Sequence, residues 1–127
     1  MKTADAYLEE ANAAIPRVSP EEGIGIHALG QAVFIDVRDT RSLLQTGTIE
    51  GAHHVPRGMI ELSADPASPY HKSFLQPDAH ICIVCGGGLM AAMAGKTLKE
   101  MGFTKVTNVG GMGAWTDAGG PVQVVEI

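Results

Sequence analysis

An α/β fold, in which a mainly parallel sheet carries helices on both faces, is predicted by two observations. Short runs rich in β-branched residues, Ala32-Val33-Phe34-Ile35, His53-His54-Val55, Ile81-Cys82-Ile83-Val84 and Lys105-Val106-Thr107-Asn108-Val109, read as buried strands. Helix-like stretches around 40–46, 58–64 and 89–101 lie between or beside them, and strands that alternate with helices pair in parallel beneath a helical layer on each side. The 127 residues, 45% of them hydrophobic and 18% charged, suffice for one core, since a chain of this size buries roughly two thirds of its unfolded surface.

The elements follow in order. Residues 3–14 are rich in helix formers, with Ala4, Leu8 and Ala11 on one face, and predict an N-terminal helical extension over residues 1–16. The main domain is expected over residues 17–127. Ser19-Pro20-Glu21-Glu22 places an N-cap serine, a proline at the first helical position and a glutamate three residues after the cap, which starts a second helix. In the stretch 89–101, Met90, Ala94, Thr97, Leu98 and Met101 recur at helical spacing. Residues 65–80, with Pro66, Pro69 and Pro77, read as an irregular surface excursion, and Trp115 as the packing anchor of a last helix.

Composition excludes several classes. A formal charge of -5 leaves no basic stripe for phosphates, so nucleic acid and anionic membranes are not expected partners. Lys2 alone supplies positive charge before residue 17, without an apolar segment behind it, so no secretory signal is expected. No run approaches the roughly 18 apolar residues of a membrane-spanning helix. The two cysteines, Cys82 and Cys85, are too few for a disulfide scaffold, and reduced thiols in the cytoplasm are the expectation.

In open parallel sheets ligands bind beyond the carboxyl ends of the strands, which here means Asp36 to Asp39, Pro56 to Gly58, Cys85 to Gly88 and Gly110 to Met112. Cys85 follows a β-branched run and precedes three glycines and a helix. Glycine permits the close-approach conformations in which successive N–H groups converge on one point, and the helix adds its positive end. Such a cradle stabilises an anion and would favour a thiolate nucleophile at Cys85. The competing reading is a small buried hydrophobe followed by a tight strand-to-helix turn.

Cys82-Ile83-Val84-Cys85 also spells C-x-x-C. Residues three apart in a strand lie roughly 10 Å apart on opposite faces, which opposes a disulfide, and zinc would need further ligands. Cys82 is therefore assigned to the core. His53 and His54 are adjacent in a strand and point apart, and His27, His71 and His80 lack ligand spacing, so no metal site is assigned. Asp36 and Arg38 are expected to organise a strand end through hydrogen bonds. Met59, Met93, Met101 and Met112 are read as gap-filling residues, Met112 also as a candidate pocket residue.

The sequence resembles the rhodanese-like domain family over about residues 17–122. The resemblance is carried, in order, by Phe34-Ile35-Asp36-Val37-Arg38-Asp39, by Gly47-Thr48-Ile49-Glu50-Gly51-Ala52-His53-His54-Val55-Pro56-Arg57-Gly58, by the cysteine loop, and by Gly110-Gly111-Met112-Gly113-Ala114-Trp115 with Ala118-Gly119-Gly120-Pro121. What it implies is a three-layer fold around a central five-stranded, mainly parallel sheet, and a sulfurtransferase that needs no metal or organic cofactor. The Cys85 thiolate would take sulfane sulfur from thiosulfate or a persulfide, small or protein-borne, and pass it to a thiol or to cyanide. Gly86, Gly87, Gly88, Leu89 and Met90 would hold the negative charge through their N–H groups.

The resemblance also implies a departure. The family commonly closes this loop as Cys-x-x-Gly-x-Arg, whereas here Met90 stands in the arginine's place. Losing one charge-assisted hydrogen bond to an anionic donor weakens binding roughly ten- to a hundredfold. Three readings follow: Met90 packs into the core and activity is weak; Leu89 and Met90 accommodate a less anionic donor; or the domain has lost catalysis and only binds a partner. Arg57, just past a strand end, is a candidate substitute cation, against the plainer reading of a structural arginine. Related phosphatases of this fold class carry a seven-residue loop, whereas Cys85 to Met90 is six.

Overall fold

The computed structural model describes residues 1–126. Helix α1 (Ala4–Ala14) starts where the Thr3 hydroxyl accepts the Ala6 N–H, and α2 (Pro20–Leu29) where the Ser19 side chain accepts the Glu22 N–H. There follow β1 (Val33–Asp36), α3 (Thr40–Thr46), β2 (Thr48–Ile49), β3 (His53–His54), a 3-10 turn (Arg57–Met59) leading into α4 (Ile60–Ala64), and β4 (His80–Cys85). The chain continues through α5 (Leu89–Glu100), β5 (Lys105–Gly111), α6 (Met112–Asp117) and β6 (Val122–Gln123).

The main sheet is parallel throughout, in the order β3-β1-β4-β5. It has four strands rather than the expected five. The fifth place, beyond β5, holds a one-residue bridge between Arg17 and Asn108. There the Asn108 N–H donates to the Pro16 carbonyl at 2.9 Å and the Val18 N–H to the Asn108 carbonyl at 3.0 Å. The ladder cannot lengthen, because Pro16 has no N–H to give and Ser19 already caps α2. Two short strands outside the main sheet, β2 and β6, pair antiparallel, Thr48 opposite Gln123 and Ile49 opposite Val122.

Strand β4 explains why its sequence is apolar without interruption. Its odd residues Ile81, Ile83 and Cys85 enter a core beneath α1, α4 and α5, together with Ile15, Ile60, Leu98 and Phe103. Its even residues Cys82 and Val84 enter a second core with Phe34, Val109, Met112 and Trp115. Both faces are covered, so both sets of side chains leave water, each large one contributing about 1.5–3 kcal/mol. In the second core Trp115 meets Phe34 edge-on at 5.8 Å and donates its indole N–H to the Pro121 carbonyl at 3.0 Å.

Helix α1 buries Ala11 and the following Ile15 against α5, where Gly95 leaves room for the Ile15 side chain. Between α4 and β4 the chain makes turns only, pinned by buried Leu75 and by the Lys72 N–H donating to the Ser63 carbonyl. No helix among the described residues is long and apolar enough to cross a membrane.

Candidate functional site

Cys85 ends β4 in register with Gly111 of the neighbouring strand. It is only 2% exposed, and its Sγ accepts the Gly88 N–H at 3.0 Å and the Ala91 N–H at 3.4 Å. The second donor, Ala91, lies in the first turn of α5, beyond the six residues expected to form the cradle. Of those six, Gly88 alone donates to Sγ itself. Gly88 needs to be glycine, because it enters α5 with φ +94°. Gly86 and Gly87 have no positive φ and open space where a side chain would go, so the turn demands less glycine than the sequence carries.

The loop is braced from β5. The Asn108 side chain donates to the Gly88 carbonyl at 2.8 Å and accepts the Gly110 N–H at 2.8 Å. A register shift opposite Ile83 and Val84 lets β5 turn at Gly110, φ +88°, and continue to Gly111. The strand thus runs further than the sequence reading, which ended it at Val109. At Gly111 an added Cβ would overlap the Gly86 carbonyl oxygen, which is backbone and cannot swing aside. Gly111→Ala is therefore expected to cost about 1–3 kcal/mol and to displace the loop. An unshifted urea midpoint, with wild-type reactivity at Cys85, would show that the loop yields without cost.

Leu89 and Met90 open α5 at 56% and 41% exposure. Met90 therefore does not pack into the core, contrary to the packing expected in the first of the three readings. Leu89 and Met90 are both exposed apolar side chains at the start of the helix that follows the buried sulfur. Met112, by contrast, lies in the second core.

Arg57 is not at the cradle. Its guanidinium donates to Glu61 Oε1 at 3.1 Å and to Thr97 Oγ1 at 3.2 Å. Thr97 lies eight residues after Leu89, about 12 Å along the helix. A cavity of about 200 Å³ between α1 and α5 is lined by Tyr7, Arg57, Met93 and Thr97 among others, and by none of residues 85–90. Position past a strand end placed the Arg57 backbone on the correct side, but its long side chain follows the carboxylate of Glu61 instead.

Asp36 and Arg38 do organise a strand end. The buried Arg38 Nη2 donates to Asp36 Oδ2 at 2.8 Å and to the Gly47 carbonyl at 2.9 Å, and Nη1 to Thr46 Oγ1 at 2.9 Å. The Thr48 hydroxyl donates to Asp36 Oδ2 at 2.8 Å. His53 stacks on Phe74 at 3.8 Å between centroids, while the His54 ring reaches the Arg38 carbonyl at 2.6 Å, so the two rings have separate partners. Cys82 sits in the second core, on the face opposite Cys85. Burial pushes its thiol up to about 12, so it stays protonated near neutral pH.

Two residues that build the site escaped the sequence reading. Asn108 carried a faint signal, an asparagine inside a β-branched strand. Arg17 carried none, because only the long-range bridge to Asn108 brings it here.

A covered parallel sheet with a cysteine at the end of a central strand, facing the first turn of the next helix, defines a cysteine-loop α/β domain. The chain belongs to the rhodanese-like domain family, whose model matches residues 19–118. A Rhodopseudomonas palustris protein of unknown function, described as a possible tyrosine phosphatase, is 40% identical with a TM-score of 0.92, over 97% of this chain and 96% of that one. The polysulfide-sulfur transferase homodimer of Wolinella succinogenes is 31% identical with a TM-score of 0.76, over 96% and 88% of the two chains. A candidate sulfur carrier protein of Bacillus subtilis, YrkF, is 35% identical over 84 residues, 65% of this chain. That match spans 40% of the relative's own length.

Proposed function

We propose that this chain is a sulfurtransferase that moves sulfane sulfur from a thiosulfate- or persulfide-type donor to a thiol or cyanide through a persulfide on Cys85. The observation that carries this reading is the pair of N–H donors, Gly88 and Ala91, aimed at Sγ at the positive end of α5. Both favour negative charge on sulfur. In the first step the Cys85 thiolate attacks the outer sulfur of the donor. A new S–S bond forms, the donor's S–S bond breaks, and its electron pair leaves with sulfite or with a thiolate. The Cys85 persulfide then carries the negative charge on its outer sulfur. In the second step an acceptor thiolate or cyanide attacks that sulfur, the S–S bond breaks, and the Cys85 thiolate returns.

Exposed, uncharged Leu89 and Met90 at the start of α5 favour a donor with less charge than thiosulfate, such as a low-molecular-weight or protein persulfide. The Wolinella relative is a polysulfide-sulfur transferase, which supports sulfane sulfur as the transferred atom. Phosphate-ester hydrolysis fits less well, because the loop from Cys85 to Met90 is six residues and contains no arginine to clamp a phosphate.

Mass spectrometry after exposure to polysulfide tests the proposal. A cyanide-labile one-sulfur adduct, placed by fragment ions because both cysteines fall on the tryptic peptide 73–96, is expected on Cys85 and not on the protonated thiol of Cys82. An unmodified Cys85 under these conditions would refute it.

A further inference from the structure

We infer that Arg17, outside the cysteine loop, supplies the positive charge that attracts anionic reactants to Cys85. The inference deepens the sulfur-transfer reading and rests on it for the identity of the natural donor. Arg17 lies at the edge of the sheet, where its bridge to Asn108 fixes its backbone beside β5. The same asparagine holds the Gly88 carbonyl and the Gly110 N–H, so one residue sets the position of Arg17 relative to the loop.

The guanidinium of Arg17 lies against the loop itself. A Cβ added to Gly88 would overlap Nη1, and one added to Gly110 would lie 3.2 Å from Nη2. Absent side chains at these two glycines are therefore what admit the guanidinium. Gly88 is also the residue whose N–H meets Sγ at 3.0 Å, so the cation touches the residue that touches the sulfur.

The charge on Arg17 is not spent elsewhere. Among the described residues it forms no ion pair, whereas Arg38 is held by Asp36 and Arg57 by Glu61. Arg17 is exposed, so its charge remains available to a solute arriving at the loop. A guanidinium stays protonated at any working pH. It therefore acts as a fixed attraction for anions, strongest at low ionic strength. Arg17 is a positioning residue and makes no hydrogen bond to Sγ, whose donors are the Gly88 and Ala91 N–H groups.

The charge can be read without sulfur transfer by comparing two alkylating reagents of similar size at Cys85. Iodoacetate is an anion and iodoacetamide is neutral, so the ratio of their rates reports the potential at the sulfur. Arg17→Gln is expected to lower the iodoacetate-to-iodoacetamide ratio about three- to tenfold at low salt, and Arg17→Lys to keep it within about twofold of wild type. Added salt should shrink the difference between wild type and Arg17→Gln. A ratio unchanged in Arg17→Gln would overturn the inference. So would an equal fall in Arg17→Lys, because that variant keeps the charge and loses only the planar shape. Failure of the sulfur-transfer reading would instead appear as a missing polysulfide adduct on wild-type Cys85, with the alkylation ratio still responding to residue 17.

Discussion

Cys85→Ser is expected to lower sulfur transfer at least about a thousandfold while leaving the fold in place. A serine hydroxyl stays protonated at neutral pH and cannot carry sulfane sulfur as a persulfide, so the cycle loses its intermediate as well as its nucleophile. The structural cost should be small. The serine oxygen is offered the same two N–H donors, from Gly88 and Ala91, that now meet Sγ. A satisfied buried hydroxyl in this setting should change stability by no more than about 1 kcal/mol. Cyanide-dependent thiocyanate formation, measured with thiosulfate and with several persulfides beside wild type, checks the rate. Thermal unfolding checks the fold. Equal rates for wild type and variant with every donor would leave a domain that binds a partner without catalysis.

Met90→Arg is expected to act in the opposite direction. Met90 is half-exposed in the first turn of α5, so a longer, charged side chain has solvent to occupy and no core to disrupt. A guanidinium there would give thiosulfate a charge-assisted partner close to Cys85, raising kcat/KM for that dianion roughly ten- to a hundredfold. The gain should be specific to anionic donors. It should also carry a stability cost of about 0.3–1 kcal/mol, because a cation at a helix N-terminus opposes the helix dipole. Thiosulfate kinetics beside those of an uncharged sulfane donor separate the effects. An unchanged rate would mean that positive charge near residue 90 is not what limits thiosulfate turnover.

Much of this architecture was legible because it is written in local pattern. The strands Val33–Asp36, His80–Cys85 and Lys105–Gly111 each contain apolar residues where the sheet is covered on both faces, and Ser19 and Pro20 mark the start of α2. Strands β2 and β6 were not legible, since two residues carry no period. The site divided in the same way. Cys85 and the sharp turn at Gly88 follow from glycine spacing, but the Ala91 donor comes from helix geometry one turn further on. The bracing by Asn108 and the placement of Arg17 come from a pairing 91 positions apart in the chain. Arg57 shows the complementary error. Its backbone position was readable, but the direction of a long side chain depends on which carboxylate lies within reach.

The Asp36–Arg38 pair constrains how this sequence can change over time. Both residues are buried, and Asp36 also takes the Thr48 hydroxyl while Arg38 holds Thr46 and the Gly47 carbonyl. Removing either partner alone strands the other charge away from water, at about 3–5 kcal/mol. Domains of this kind have about 5–15 kcal/mol of stability in total. A single substitution at either position thus uses up a large part of the margin, whereas replacing both together with a well-packed apolar pair need not. Any lineage that exchanges this pair one residue at a time crosses an intermediate of much reduced stability, so the two positions tend to change together.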